Sequence, residues 1–247
     1  MPKFRSESKP DVRGYLAWSR DPAVGLFAVA PLWGAYELLR FYLSPNERNG
    51  AEALMCEALR WLGPLFPILP RLLFVFVVIL SAISLARRNV PWARVAMVSA
   101  LEGTVWGLML GPLAAALAEK SFRLLGASEG EHSLAKDLVA SLGAGIFEEL
   151  FFRLFLLSLL VLLLARACDV FGIPKACATA FGILLSGFVF AFFHHVGAGA
   201  PKIEMPVLMF RTAAGTLLGA LFVARGIGVC MWAHSIYDVH YFLTHHG

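Results

Sequence analysis

The sequence predicts an all-α protein, a polytopic membrane helical bundle of about seven transmembrane helices, with six to eight as the range. Three observations lead there. Of the 247 residues, 59% are hydrophobic and only 15% charged, and the mean hydropathy of +0.72 lies far above that of a soluble globular domain. The apolar residues gather in runs of about 20, the length that crosses a hydrocarbon layer roughly 30 Å thick. The basic residues fall mostly at the ends of these runs, where they anchor helices against anionic lipid. A net charge of +4 and a pI near 9.0 are thereby accounted for by the lipid bilayer, with no nucleic-acid partner.

Taken in order, the first 20 residues are polar and carry Lys3, Arg5, Lys9, Arg13 and Arg20. No small-residue cleavage site follows a short apolar stretch, so the first helix is expected to stay in place behind a tail at 1–21. Spans are expected near 22–43, 67–86, 95–118, 138–166, 175–196, 206–224 and 227–244. The segment Ser44–Phe66 mixes Glu47, Arg48, Glu52, Glu57 and Arg60 with Leu54, Leu59, Trp61 and Leu62, which predicts an interfacial amphipathic helix near 45–66 rather than a crossing. A polar loop at 119–137, with Gly126 and Gly130 among seven charges, separates the two halves. Three accessory helices at 22–118 thus precede a four-helix core at 138–247, and no internal repeat is visible.

Eleven Lys and Arg fall on the side of the N-terminus and eight on the other, which makes the N-terminus cytoplasmic. Richness in alanine, arginine and glycine points to a GC-rich bacterial genome, and hence to a bacterial inner membrane. Cys56, Cys168, Cys177 and Cys230 have no CxxC or finger spacing, so neither a disulfide framework nor a structural zinc site is implied.

Chemistry is expected where charges enter the membrane, because one charged side chain at mid-bilayer costs roughly 2.5 to 3.5 kcal/mol. F-E-E-L-F-F-R at 147–153 places Glu148, Glu149 and Arg153 inside the fourth span. Glu149 and Arg153 are four apart on one helical face and suit an ion pair, whereas Glu148 is turned about 100° away and is left available. A pair alone would be read as a cross-link between helices. Further polar residues at matching depth argue for more. His194 and His195 close the fifth span, with Phe190 one turn before His194, and His234 and Asp238 lie four apart on the seventh. A histidine at a helix end is ordinarily interfacial, and Asp238 could merely orient His234.

Alternating span direction brings the start of span four, the end of five, the start of six and the end of seven to one side, so these residues can meet in one leaflet. Glu102 and Arg211, also within spans, are expected to serve as counter-charges or in packing. No role is assigned to His240, His245 or His246. Ser141, Ser158 and Ser186 lack the G-x-S-x-G setting of a nucleophile.

Three short motifs in this order are similar to those of a known family. F-E-E-L-F-F-R resembles E-E-x-x-x-R, F-A-F-F-H at 190–194 resembles F-x-x-x-H, and H-S-I-Y-D at 234–238 resembles H-x-x-x-N of the CPBP intramembrane proteases, also called the Abi or CAAX prenyl protease 2 family. The small-residue stretch from Phe210 to Gly228 also looks like the helix and tight turn before the last motif. The resemblance covers about 138–240 and implies an endopeptidase of glutamic type. It would make Glu148 the base that activates water, His194 a holder of that water, and His234 with residue 238 the stabiliser of the oxyanion. Glu149 and Arg153 would be the supporting pair. The substrate it implies is a membrane-anchored protein or peptide, cut in C-terminal tail processing, protein sorting or peptide maturation.

Asp238 departs from the family, which usually has asparagine there. An ionised aspartate cannot donate to an oxyanion, so Asp238 must be protonated, orient His234 or help to bind a cation. Glu148, His194, His234 and Asp238 would also make a zinc set, but without H-E-x-x-H the expectation is metal-independent catalysis with no cofactor. Two other classes compete. A proton-coupled transporter would use Glu102, Glu148, Arg211 and Asp238 as relays, against which stands the lack of a repeat. A non-catalytic membrane scaffold would not need Glu148, His194 and His234.

Overall fold

The computed structural model describes residues 12–43, 50–58, 60, 63, 68–88, 90–118, 134–196 and 201–245, and every regular element among them is helical. Lys3, Arg5 and Lys9 of the tail, residues 119–133 of the polar loop, about half of 44–66, and His246 lie outside the described residues. The order is α1 (Val12–Ser19), α2 (Pro22–Ala28), α3 (Ala30–Leu43), α4 (Gly50–Ala58), α5 (Leu69–Arg87) and α6 (Trp92–Leu117). After the loop come α7 (Leu134–Gly143), π-helical stretches at Ala144–Glu148 and Leu150–Leu157, α8 (Ser158–Phe171), α9 (Lys175–Phe193), α10 (Met205–Arg225) and α11 (Ile227–His245).

Six helical segments are long and apolar enough to cross a membrane, and they match the first six expected spans: Pro22–Tyr42, Leu69–Arg87, Trp92–Leu117, Leu134–Phe171, Lys175–Phe193 and Met205–Arg225. Leu72, Phe76, Leu101, Leu108, Leu162 and Leu163 on these helices are exposed. Such residues belong on the outside of a bundle whose solvent is lipid. The expected seventh span forms as α11 but is not among the six, because His234, Ser235, Asp238, His240 and Thr244 lower its hydropathy. Its place explains how it carries them. α11 runs along α6 and also packs on α2, α7 and α10, with Cys230, Met231, Ala233, His234 and Ser235 all buried. A helix enclosed by protein need not be apolar all round.

The fourth span begins at Leu134, before the expected 138, and continues to Phe171 over 38 residues. The expected plain α-helix is replaced in its middle by π-helical turns, whose i→i+5 hydrogen bonds widen the helix and occur frequently at functional sites. Close approach to α11 coincides with them. A Cβ on Gly145 would overlap Ser235 Oγ and come within 2.6 Å of Ser235 N, so only glycine lets the two helices meet here.

Helices of the first half are fastened to the second. Glu102 on α6 receives Arg225 Nε at 2.6 Å and Tyr15 OH at 2.5 Å, which supplies the partners the sequence left unassigned. Trp232 Nε1 donates to Ala28 O at 3.0 Å. Within the segment expected to be interfacial, α4 turns Glu52 inward, where it takes Arg40 Nη1 at 2.8 Å and Tyr36 OH at 2.5 Å. At the α2 N-terminus Asp21 caps Ala23 N at 2.9 Å and holds Arg88 Nη1 at 2.6 Å. The Arg88 hydrogen bond keeps the Asp21 carboxyl below its ordinary range. Gly226, at φ +86°, makes the turn from α10 into α11 in a conformation that a side chain would strain.

Candidate active site

The π-helical turn ending at Glu148 presents two adjacent glutamates to different surroundings. Glu149 points into protein and has no exposed surface, as does Arg153 one turn on. Arg153 Nη1 lies 2.9 Å from Glu149 Oε1, forming the ion pair that the spacing predicts. Arg153 also donates from Nη2 to Gly215 O at 3.2 Å, and its Cζ sits 4.4 Å from the centroid of the Phe190 ring. Hydrogen bonds of this kind and a cation–π contact offset part of the desolvation of a buried guanidinium.

Glu149 does more than pair with Arg153. The same Oε1 accepts from His234 Nδ1 at 2.7 Å, and Oε2 accepts from Cys230 Sγ at 2.9 Å. An ionised carboxylate only accepts, so Nδ1 of His234 carries the proton and Nε2 is turned the other way, toward Glu148. His194 is set by the same logic. Its Nδ1 donates to Phe190 O at 2.9 Å, a carbonyl that only accepts, which again aims Nε2 at Glu148. Glu148 Oε2 stands 3.8 Å from His194 Nε2 and 4.0 Å from His234 Nε2. These separations exceed a direct hydrogen bond and suit a bridging water. Asp238 Oδ2 lies 3.5 Å from His234 Nε2. Thus Glu149 orients His234 through Nδ1, while Asp238 approaches the nitrogen on the cavity side.

Glu148, His194, His234 and Asp238 line one cavity of about 400 Å³, bounded also by Phe190 and Arg211. The chain therefore brings together all four residues that the sequence singled out for chemistry, from α9, α11 and the π-helical turn. His195 is directed elsewhere, its Nδ1 3.1 Å from Pro201 O. Cys230 and the carbonyls of Phe190 and Gly215 are the site partners not foreseen. Cys230 lies four residues before His234, a spacing that places both on one face of α11. The carbonyls have no sequence signal, because any residue carries one.

Two imidazoles and two carboxylates are donor types that zinc accepts. Among the described residues, however, no group of three or more His, Cys, Asp or Glu is arranged to hold a metal ion. No step below passes through a metal.

A helical bundle with six apolar spans defines an integral, multi-pass membrane protein. Residues 130–240 match the family model described as type II CAAX prenyl endopeptidase Rce1-like. This stretch is thus similar to a family of CAAX-type intramembrane proteases, and it contains the motifs at 147–153, 190–194 and 234–238. No curated protein and no solved structure matches the chain.

Proposed function

We propose that the protein is an intramembrane glutamic-type endopeptidase that cuts a membrane-associated protein or peptide, with Glu148 activating water. The observation that carries this reading is the convergence of two histidine Nε2 atoms on Glu148 Oε2, at 3.8 and 4.0 Å, beside a cavity within the bundle. A water held between Glu148 and His194 gives its proton to Glu148 as its oxygen adds to the scissile carbonyl carbon. The negative oxygen of the tetrahedral intermediate then faces His234. Charged, His234 donates from Nε2, and Glu149 behind it stabilises the imidazolium. Glu148 returns the proton to the amine as the C–N bond breaks. The substrate in this reading is a membrane-anchored chain near its C-terminus, and the site sits in a bacterial inner membrane with the N-terminus cytoplasmic.

The test uses the full chain in liposomes with a lipid-tethered, quenched fluorescent peptide. His194→Ala and His234→Ala are each expected to lose about 10²-fold in cleavage rate, whereas His195→Ala, whose ring leaves the cavity, stays within a few-fold of native. If His195 alone proved essential, the site would be built on the wrong residue of the pair.

Asp238 is read as a neutral donor to the oxyanion. Asp238→Asn restores a donor that has no proton to lose, so activity is kept or raised and extends to higher pH. A dead Asp238→Asn variant, together with native activity abolished by a chelator and restored by zinc, would replace this reading with a metalloprotease.

A further inference from the structure

Six arginines have a carboxylate beside them, among them Arg40 at 2.8 Å from Glu52, Arg153 at 2.9 Å from Glu149 and Arg225 at 2.6 Å from Glu102. Arg211 does not. It projects from the first turns of α10 into the same cavity as Glu148, His194 and Asp238. Its Nη1 is buried without a hydrogen bond, and no described residue pairs with it within 4.0 Å. Glu148 and Asp238 are near enough to feel its charge, but neither closes on it. Taking a guanidinium out of water without a partner is unfavourable, and its fork of donors matches the two oxygens of a carboxylate. An unpaired fork at a cavity wall is complementary to an anion that arrives from outside.

We propose, on the basis of the peptidase reading above, that Arg211 binds the free C-terminal carboxylate of the substrate and so fixes the register in which the chain lies across Glu148. A cavity of about 400 Å³ enclosed by helices admits a chain end. Arg211 and Glu148 line the same cavity, and an extended chain advances roughly 3.3 to 3.6 Å per residue, so the separation of a carboxylate on Arg211 from Glu148 sets how far upstream the scissile carbonyl lies. Length selection then comes from the distance between the anchor and the base. An acidic side chain near the end of a substrate offers the same chemistry from a different source.

The experiment measures binding and cleavage of three otherwise identical lipid-tethered peptides. One ends in a free acid, one in a carboxamide, and one in a carboxamide with aspartate as its last residue. In the Glu148→Gln protein, which holds peptide without turnover, the free acid is expected to bind about tenfold more tightly than the carboxamide, as a charge-assisted bidentate contact warrants. Adding Arg211→Gln should bring the two affinities within about twofold while the carboxamide is bound as before. With Glu148 intact, the preference should appear in KM. If Arg211→Gln does not accumulate, Arg211→Lys serves in its place and should show a reduced preference, since one ammonium cannot form the fork. Equal binding of acid and carboxamide, or a preference that survives either substitution, would overturn the proposal. Tight binding of the aspartate peptide would move the anchor to a side chain. An equal loss of kcat on acid and carboxamide with Arg211→Gln would also overturn it, assigning Arg211 to the oxyanion. Acid-selective binding without cleavage by the native protein would instead sink the peptidase reading and leave the carboxylate site standing.

Discussion

A Glu148→Gln variant is expected to insert and fold as the native chain does and to hydrolyse the tethered peptide at least about 10²-fold more slowly. The amide has the size and shape of the carboxyl but cannot take a proton from water. Glu148 faces the cavity and the two Nε2 atoms, and it stands outside the hydrogen bonds that tie Glu149, Arg153, His234 and Cys230 together. Removing its charge therefore leaves that network whole. Purified variant and native protein are compared by cleavage rate and by thermal unfolding in the same detergent. Near-native cleavage would remove Glu148 from the role of base and with it the proposed mechanism.

Glu149→Gln is expected to do the reverse first, lowering folded yield and thermal stability. The change leaves Arg153 charged and fully buried, with a carbonyl and an aromatic face but no anion. Breaking one partner of a buried pair typically costs about 3 to 5 kcal/mol, a large part of the stability of an ordinary domain. Activity falls too, because His234 loses the carboxylate at Nδ1 that fixes its proton and supports its charge. A double change of Glu149→Gln with Arg153→Met should recover much of the stability while activity stays low, since it removes the orphaned charge and leaves His234 without its carboxylate. Full stability with abolished activity in Glu149→Gln alone would mean that the roles of the two glutamates are exchanged.

Legibility in the sequence was greatest where one segment carries its own physics. The Glu149–Arg153 pair follows from four-residue spacing, and the six apolar crossings follow from the requirement that backbone polar groups be satisfied inside lipid. The π-helical turns at 144–148 and 150–157 were not legible, because they appear where Gly145 is pressed on Ser235, a contact made by a helix some 90 residues later in the chain. For the same reason Arg211 read as an ordinary counter-charge. Whether a charge has a partner depends on what the other helices bring to it.

By itself the sequence determined that this is a helical membrane protein, and where its six apolar crossings begin and end within a few residues. Each of these is a matter of local period, length and charge along one stretch of chain. Only the tertiary structure decided which groups face one another. It turned Glu149 to His234, Arg153 and Cys230, and Glu148 to the cavity. It gave Glu102 to Arg225, and left Arg211 without a carboxylate among the described residues. Partner choice comes from helix packing across segments far apart in the chain. In a lipid-surrounded interior that choice separates the charges a protein neutralises from those it keeps exposed to a substrate.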